Sequence, residues 1–426
     1  MSCQERKPMS VLPALLFAAA ALVWPAAARA ELPLEVKLYG FLNAEVEWVR
    51  ALGGTTPYSS RMRVSDGNSR LGIAGSYALS ENAKVMVQLE GLLASFEQGG
   101  VDDLGRSFTL ESRNTFVGVE DRRFGRLLIG YQDAAYRSLV GTGNDFGGNW
   151  GLTAQGLDLW SNTTAAMSGS YGSLFGRGES RLKNSVHYLS PDLFGVRVAG
   201  SYGFDETAAL GGRRDHLSLA ALYGWEGLRV GIGYDRQANT GVDTDRLLLG
   251  YGMTTTGVND VSTSFYKIIV SYLFHTGTYV GFGYERSVYG FASFVPPLPG
   301  QVYVPLTPGN QSQGGAMVSV AQSLGKLVDL LDGVTLMGSW GKLGNLSDSL
   351  YGSGADYGAT QLSVGAKYAL GPSFMVYGYF TRIENKPLQG LNLGAPIYSN
   401  AVGTGDAYLA PGNKPTAGGV GLIARF

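Results

Sequence analysis

The stretch QLSVGAKY, residues 361–368, alternates apolar with polar or small side chains along its whole length. Side chains on a β-strand point to opposite faces in turn, so this stretch predicts a strand with one apolar and one polar face. The same pattern returns in residues 69–77, 84–92, 229–236 and 279–285. A soluble β-sandwich also alternates, but it rarely exposes large apolar patches. We therefore favour strands with lipid on one side and water on the other.

The composition fits one long all-β chain. The 426 residues include 63 Gly, 24 Tyr and 18 Phe, while charged residues make up only 16%. The formal net charge of −1 gives no sign of a nucleic-acid partner. No apolar run of spanning length follows residue 30, so a chain that crosses a membrane would have to do so as a closed barrel. Aromatic residues near predicted strand ends fit interfacial girdles, for example Tyr223, Trp225, Tyr377 and Tyr379.

Short and long connections alternate along the chain. Tight turns such as residues 80–82, 225–227 and 371–373 follow even-numbered strands, whereas longer segments follow odd-numbered strands. Bacterial barrels have short periplasmic turns and long outer loops. Counting hairpins predicts a transmembrane antiparallel β-barrel of about 16 strands, with the boundaries around residues 314–333 the least defined. The third outer loop, residues 133–180, is far longer than the rest, and loops of that length are usually functional.

The first thirty residues have the features of a secretory signal peptide. Arg6 and Lys7 precede an apolar run, which ends in the small-x-small pattern of residues 28–30. We expect cleavage after residue 30 and a single mature barrel domain, residues 31–426. A transmembrane anchor is the alternative, which prolines within the run oppose. The only cysteine, Cys3, lies in the signal, so we expect no disulfide and no thiolate metal site in the mature chain.

Five short motifs, in order along the chain, carry a resemblance to a known family. They are LYG (38–40), SRLGIAG (69–75), SRNTFVG followed by FG (112–118 and 124–125), GYQ (130–132) and NSVHYLSP (184–191). They resemble the motifs of Gram-negative general porins of the betaproteobacterial type, and the chain also ends on Phe426 as such proteins do. The resemblance implies a water-filled channel for passive diffusion of ions and small hydrophilic solutes across the outer membrane of a Gram-negative bacterium.

The same resemblance implies where the channel narrows. In this family the third outer loop folds into the lumen, where its acidic residues face a ladder of basic residues on the opposite wall. The transverse field orients dipolar solutes and sets a weak ion preference. The matching constriction positions in this sequence are Arg70, Arg113, Lys183, Arg181, Asp145 and Glu90. The resemblance also implies a homotrimer surrounded by outer-membrane lipid and lipopolysaccharide, without a cofactor.

The period-two pattern supports some of these positions independently. Arg70, Glu90 and Lys183 lie on the polar faces of their strands and are expected to point into the lumen. Arg113 is ambiguous, because Val117 shares its face. All of these residues could instead be ordinary lumen charges that are solvated and individually unimportant.

Two other function classes remain open. A substrate-specific channel is the main alternative: an anion channel would crowd the constriction with Arg and Lys, and a sugar channel would line it with aromatic side chains. The long loop carries two weaker acidic candidates, Asp133 and Asp158, and four aromatic residues, Tyr136, Phe146, Trp150 and Trp160. Catalysis is less favoured, since none of the three histidines lies in a long outer loop near a plausible Ser and Asp pair. We therefore expect no enzyme and no metal site.

Overall fold

The computed structural model describes residues 34–54, 57–65, 69–94, 109–141, 174–206, 214–238, 262–291, 309–349, 352–393 and 410–426. The predicted signal peptide lies outside these residues. Within them, eighteen strand segments form one antiparallel sheet. No α-helix in these ranges is long and apolar enough to span a membrane.

The segments make up sixteen wall strands, two of which are each interrupted once. In chain order they are β1 (Leu34–Gly53), β2 (Tyr58–Ser65 and Arg70–Ala78), β3 (Ala83–Ala94), β4 (Thr109–Ser112 and Thr115–Asp121), β5 (Gly125–Asp133), β6 (Arg181–Leu189), β7 (Val196–Gly203), β8 (His216–Trp225), β9 (Leu228–Gln237), β10 (Thr263–Leu273), β11 (Thr278–Phe291), β12 (Gly309–Ser323), β13 (Val334–Ser347), β14 (Ala359–Ala369), β15 (Phe374–Asn385) and β16 (Asn413–Arg425). Both parts of β2 pair with β1, and both parts of β4 pair with β3.

The sheet closes on itself. Each strand pairs with the next, and β16 returns to pair with β1 from Phe41 to Gly53. Closure pairs both edges of the sheet, which a barrel in lipid requires because no water is present to bind free backbone groups. The prediction of a sixteen-stranded antiparallel barrel is confirmed.

The barrel is apolar outside and polar inside. On β14, Leu362 and Val364 are exposed on the outer face, whereas Gln361 and Ser363 are buried on the inner face. In a membrane barrel, lipid covers the outer face, so apolar side chains belong there. The alternation of residues 361–368 therefore predicts the orientation of this strand correctly.

Short helical segments complete the described part of the chain. The helix α1 (Ala135–Val140) follows β5 directly at the start of the third outer loop. The uncertain link around residues 314–333 is a longer turn: β12 continues to Ser323, and two 3-10 helices, Leu324–Lys326 and Asp329–Leu331, lead to β13.

The girdle prediction is wrong for two tyrosines on β15. Tyr377 and Tyr379 are buried on the lumen side, where their hydroxyl groups donate to Glu45 at 2.5 Å and Glu47 at 3.0 Å. The Tyr377 ring crosses Gly421, where a Cβ atom would lie 2.3 Å from the ring. An aromatic residue near a strand end therefore belongs to the girdle only when the period-two pattern also places it outside.

Candidate functional site

Glu90 on β3 is the centre of a charged cluster on the lumen face. Its carboxylate accepts hydrogen bonds from Arg113 Nε and from the Tyr39 hydroxyl, both at 3.0 Å, and Arg70 Nη1 lies 4.0 Å away. The Tyr39 ring lies across Gly72, where a Cβ atom would lie 2.3 Å from it. The absence of a side chain at this position is what lets Tyr39 reach Glu90. Three of the predicted constriction residues are thus brought together.

A one-residue bulge in β4 turns Arg113 inward. Gln88 pairs with Phe116 and Gly91 pairs with Ser112, so three steps along β3 oppose four steps along β4. A bulge of this kind shifts the alternation of side chains by one residue. Arg113 therefore reaches Glu90 in the lumen, although it shares the sequence period of lipid-facing valines.

Asp133, the last residue of β5, organises the second half of the cluster. Arg181 Nε and Arg137 Nε each lie 3.0 Å from its Oδ1 atom, and the Asn114 side chain donates to Oδ2 at 3.0 Å. The sequence had suggested Asp133 only as a weaker candidate within the loop, and Arg137 was missed. Arg137 lies on α1, which begins two positions after the end of β5, so no periodic pattern in the sequence places its side chain beside Asp133.

Lys183 extends the cluster along β6. Its Nζ atom lies 5.2 Å from the centre of the Tyr131 ring, and the guanidinium of Arg181 lies 5.6 Å from the same centre. Lys183 is exposed, so the contact holds its side chain only weakly. Asp145, the predicted acidic partner on the loop, lies outside the described residues, as does Asp158.

These side chains form a patch on β2 to β6 and α1, which we call the basic wall. Among the described residues it has five cationic and two acidic members: Arg70, Arg113, Arg137, Arg181, Lys183, Glu90 and Asp133. Each carboxylate is shared by two guanidinium groups. The wall therefore keeps an excess of positive charge, and a patch of one sign along a water-filled path concentrates ions of the opposite sign.

The outgoing end of the third outer loop is attached to the inner face of the barrel. The backbone N–H groups of Ala135 and Tyr136 donate to the hydroxyls of Ser201 and Ser218, at 2.9 and 3.0 Å. The Tyr136 side chain is fully buried and covers Gly233, where a Cβ atom would lie 2.7 Å from the ring. This end of the loop thus folds into the lumen, and Tyr136 is not available as an aromatic surface for a passing sugar.

The returning end of the loop is held by a second charged cluster. Lys267 on β10 forms ion pairs with Glu179 on the loop and with Glu285 on β11, whose carboxylate lies 3.5 Å from Nζ. The ammonium group also lies over the rings of Tyr136 and Phe175, 4.7 and 5.0 Å from their centres. Lys267 therefore contacts both ends of the loop from a single position on β10.

Arg177 completes this second cluster. The backbone N–H groups of Gly176 and Arg177 donate to the Glu285 carboxylate at 2.9 and 3.2 Å. The Arg177 guanidinium donates to Tyr289 at 3.2 Å and to Gln313 at 2.9 Å. We call Lys267, Glu179, Glu285 and Arg177 the loop anchor, because their contacts connect residues 176–179 to β10, β11 and β12.

A closed barrel with a lipid-facing apolar exterior and a charged lumen is the architecture of an outer-membrane β-barrel protein. Residues 14–388 match the family model of the Gram-negative porins. The chain belongs to this family, and it is an outer-membrane channel for passive diffusion.

Solved porin structures share the fold. The anion-selective porin from Comamonas acidovorans has a TM-score of 0.63 at 17% identity, with 92% of this chain and 100% of that chain covered. The trimer form of OmpT from Vibrio cholerae has a TM-score of 0.59 at 16% identity, with 92% and 99% covered. Salmonella typhi OmpF in complex with daunomycin has a TM-score of 0.55 at 15% identity, with 92% and 97% covered. A comparison with curated protein sequences finds no match.

Proposed function

We propose that the basic wall lines the constriction of this diffusion channel and gives it a weak preference for anions. The observation that carries the proposal is the excess of positive charge on the wall. Glu90 and Asp133 each form ion pairs with two guanidinium groups, so the positive charge around each carboxylate exceeds its single negative charge. Neither carboxylate is therefore expected to attract a passing cation. Lys183, in contrast, is exposed. Asp145 on the loop is the proposed opposing charge, which keeps the preference weak.

The proposal is tested by planar-bilayer recording of the purified protein under a KCl gradient. The reversal potential should indicate a modest preference for chloride in dilute salt. The preference should shrink towards 1 M salt, because the Debye length falls from about 10 Å at 0.1 M to about 3 Å at 1 M. A cation preference in dilute salt would contradict the proposal while leaving the channel itself intact.

A substrate-specific anion channel is the alternative, and the name of the Comamonas porin as anion-selective favours it. The two functions differ in saturation. A general pore should conduct chloride and larger anions in proportion to their mobility, whereas a specific channel should saturate with its substrate at low concentration. Conductance measured over a concentration series of several potassium salts separates them.

We further propose that the protein assembles as a homotrimer within lipid and lipopolysaccharide, after removal of residues 1–30. The trimer form of the Vibrio cholerae relative supports the assembly, and the apolar outer face supplies surface for a subunit contact. Cross-linking of detergent-extracted protein should give a trimer band, and mass spectrometry should find a mature chain that starts at residue 31. A monomer both before and after cross-linking would contradict the trimer.

A further inference from the structure

Basic side chains lie on the outer, lipid-facing side of five strands, near the ends that lead into the long loops. Each of these strands carries an aromatic residue on its outer face and, two positions closer to the loop, a basic residue on the same face. The pairs are Trp48 and Arg50 on β1, Tyr234 and Arg236 on β9, Tyr284 and Arg286 on β11, Trp340 and Lys342 on β13, and Phe380 and Arg382 on β15. We call the five basic residues the outer belt.

The outer belt lies at the depth of the lipid headgroups. Outward-facing aromatic residues of a membrane barrel mark the boundary between the hydrocarbon and the headgroups. Two residues of a strand span about 7 Å. The headgroup layer on each side of a bilayer is itself about 5–7 Å thick, so the basic side chains reach into this layer on the outer side.

The end of the barrel with the short turns has a different pattern. There the next outward-exposed side chains beyond the aromatic residues are apolar: Trp225 follows Tyr223, Phe274 follows Tyr272 and Leu370 follows Tyr368, in each case after two positions. The position beyond the girdle is therefore basic on the outer side of the membrane and apolar on the periplasmic side. This asymmetry indicates a partner that is restricted to the outer leaflet.

Three cations are close together where β15, β16 and β1 meet. Arg50 and Arg382 are paired with Thr416 from its two sides, so their Cα atoms lie about 10 Å apart across two strand spacings. Lys414, two positions before Thr416 on β16, lies on the same outer face and is paired with Leu52. We call Arg50, Arg382 and Lys414 the outer triad.

The positive charge of the outer triad is only partly balanced. Glu384 Oε1 lies 2.8 Å from Nη2 of Arg382. The guanidinium of Arg50 lies over the ring of Trp48, 4.8 Å from its centre. Within the described part of the chain, neither Arg50 nor Lys414 forms an ion pair with a carboxylate, and the Nε atoms of Arg50 and Arg382 have no acceptor. Two of the three positive charges thus have no protein counter-charge there.

We propose that the outer triad binds the phosphate groups of lipopolysaccharide directly, without a bridging divalent cation, and that the outer belt extends this contact around the barrel. Guanidinium groups bind phosphate oxygens through paired N–H donors. The partner is a lipid because the triad faces the bilayer, and it belongs to the outer leaflet because the cations lie at that end. The inference rests on the proposed placement within lipopolysaccharide and identifies the residues that make the contact.

The test is native mass spectrometry of the full mature protein in detergent, with EDTA present throughout. The two probes are lipid A with both phosphates and the same lipid A after removal of its phosphates. The phosphorylated form should bind at least about tenfold more tightly, because only its phosphates attract the cations. Equal binding of the two forms would overturn the inference, and binding of the phosphorylated form only after Mg²⁺ is added would overturn the direct contact.

Three double variants locate the binding. A basic residue near an anionic lipid surface contributes about fivefold to affinity, so Arg50→Gln with Arg382→Gln should weaken the first bound lipid A about 25-fold. Arg50→Lys with Arg382→Lys keeps both charges and should keep most of the binding, which separates loss of charge from misfolding. Arg122→Gln with Lys326→Gln is the matched control, because it removes two exposed cations at the short turns. Equal loss of binding in the control would overturn the inference.

Cross-linking of the same samples separates the outer triad from the proposed trimer. A loss of the trimer band in the Arg50→Gln, Arg382→Gln variant without a change in lipid binding would make this surface a subunit contact and overturn the inference. A protein that cross-links only as a monomer, yet binds lipid A through the triad, would keep the inference and remove the trimer. Lipid A binding that none of the variants weakens would keep the protein in lipopolysaccharide and remove the triad as the site.

Discussion

The basic wall and the loop anchor are built from the same kinds of side chain on the same inner face, yet they differ in burial and in charge balance. In the basic wall, Lys183 is exposed and the Arg70 side chain is 36% exposed, whereas Arg113 and Glu90, which bind each other, are 12% and 7% exposed. In the loop anchor, the Lys267 side chain is 0% exposed and that of Glu285 is 2% exposed. The wall has more cations than carboxylates, whereas the anchor has two of each.

The difference shows how burial decides what a charge can do. Taking a charge out of water costs several kcal/mol, so buried charges persist only when partners balance them. An exposed charge remains solvated by water and mobile ions and can stay in excess. Only the excess can act on a passing ion. We therefore expect the anchor to govern the stability of the loop and the wall to govern the selectivity of the channel.

The strongest test of the difference between the two clusters is to make the same substitution in both. Lys267→Met keeps the length of the side chain and leaves Glu179 and Glu285 buried without their shared cation. The free energy of unfolding should fall by about 3–5 kcal/mol. Lys183→Met should change it by less than ~0.5 kcal/mol, because that side chain is exposed. Urea unfolding of both variants in detergent micelles, followed by tryptophan fluorescence, measures the difference.

Equal losses of stability from the two lysine substitutions would contradict the assignment of the anchor. A second readout supports the test. If residues 176–179 are released from the wall, single-channel currents of Lys267→Met should become noisier, while those of Lys183→Met should stay quiet.

The second prediction concerns ion selectivity, which a substitution in the basic wall should change. Arg113→Gln removes one charge from the wall, and a charge at ~8 Å in water is worth about 0.5 kcal/mol, which screening at about 0.1 M salt roughly halves. Because the energies of the anion and the cation change in opposite directions, the local ratio of anions to cations changes by roughly twofold. The reversal potential in a dilute KCl gradient should therefore shift towards cation preference. The shift should largely disappear at 1 M salt. A shift that persists in high salt would point to a change of pore shape rather than of charge.

The third prediction is a shift in reversal potential of opposite sign and similar size, caused by the loss of a negative charge from the basic wall. Glu90→Gln removes a carboxylate from the wall and leaves Arg70 and Arg113 with an uncharged acceptor. The reversal potential should shift further towards anion preference, again by roughly twofold in permeability ratio. Glu81→Gln, on the exposed turn after β2, is the control with the same change of charge and should have a smaller effect. Equal shifts in reversal potential from Glu90→Gln and Glu81→Gln would mean that the ion preference does not depend on whether the removed charge lies in the basic wall.

The barrel could be predicted from the sequence because the patterns that indicate its strands and turns lie within short stretches of the chain. Each strand carries its own alternation, and the tight turns mark where one strand ends and the next begins. The lumen orientation of Glu90 follows from this pattern alone. The orientation of Arg113 did not, because a bulge adds one residue to β4 and no residue type in that stretch marks its position.

The loop anchor could not be predicted, because its contacts depend on closure of the barrel. Lys267 and Glu179 are 88 residues apart in sequence, and Gly176 and Glu285 are 109 residues apart. No local pattern relates such positions. One signal was present: Lys267 is a single charge within the otherwise apolar stretch FYKIIV, residues 265–270, and it lies on the lumen face of that strand. A lone charge in such a position needs a partner on the same face.

The smallest effect is expected where a neutral group, and not a charge, is removed from the basic wall. Tyr39→Phe deletes the hydroxyl that donates to Glu90 at 3.0 Å, while Arg113 still binds the same carboxylate. The free energy of unfolding should fall by about 1 kcal/mol, the usual net value of one hydrogen bond, and the reversal potential should not change. Glu90 keeps its charge in this variant, so a shift in reversal potential as large as that of Glu90→Gln would show that the position of the carboxylate, and not the number of charges, controls the ions. In that case the wall would resemble the anchor, since both would act through fixed geometry.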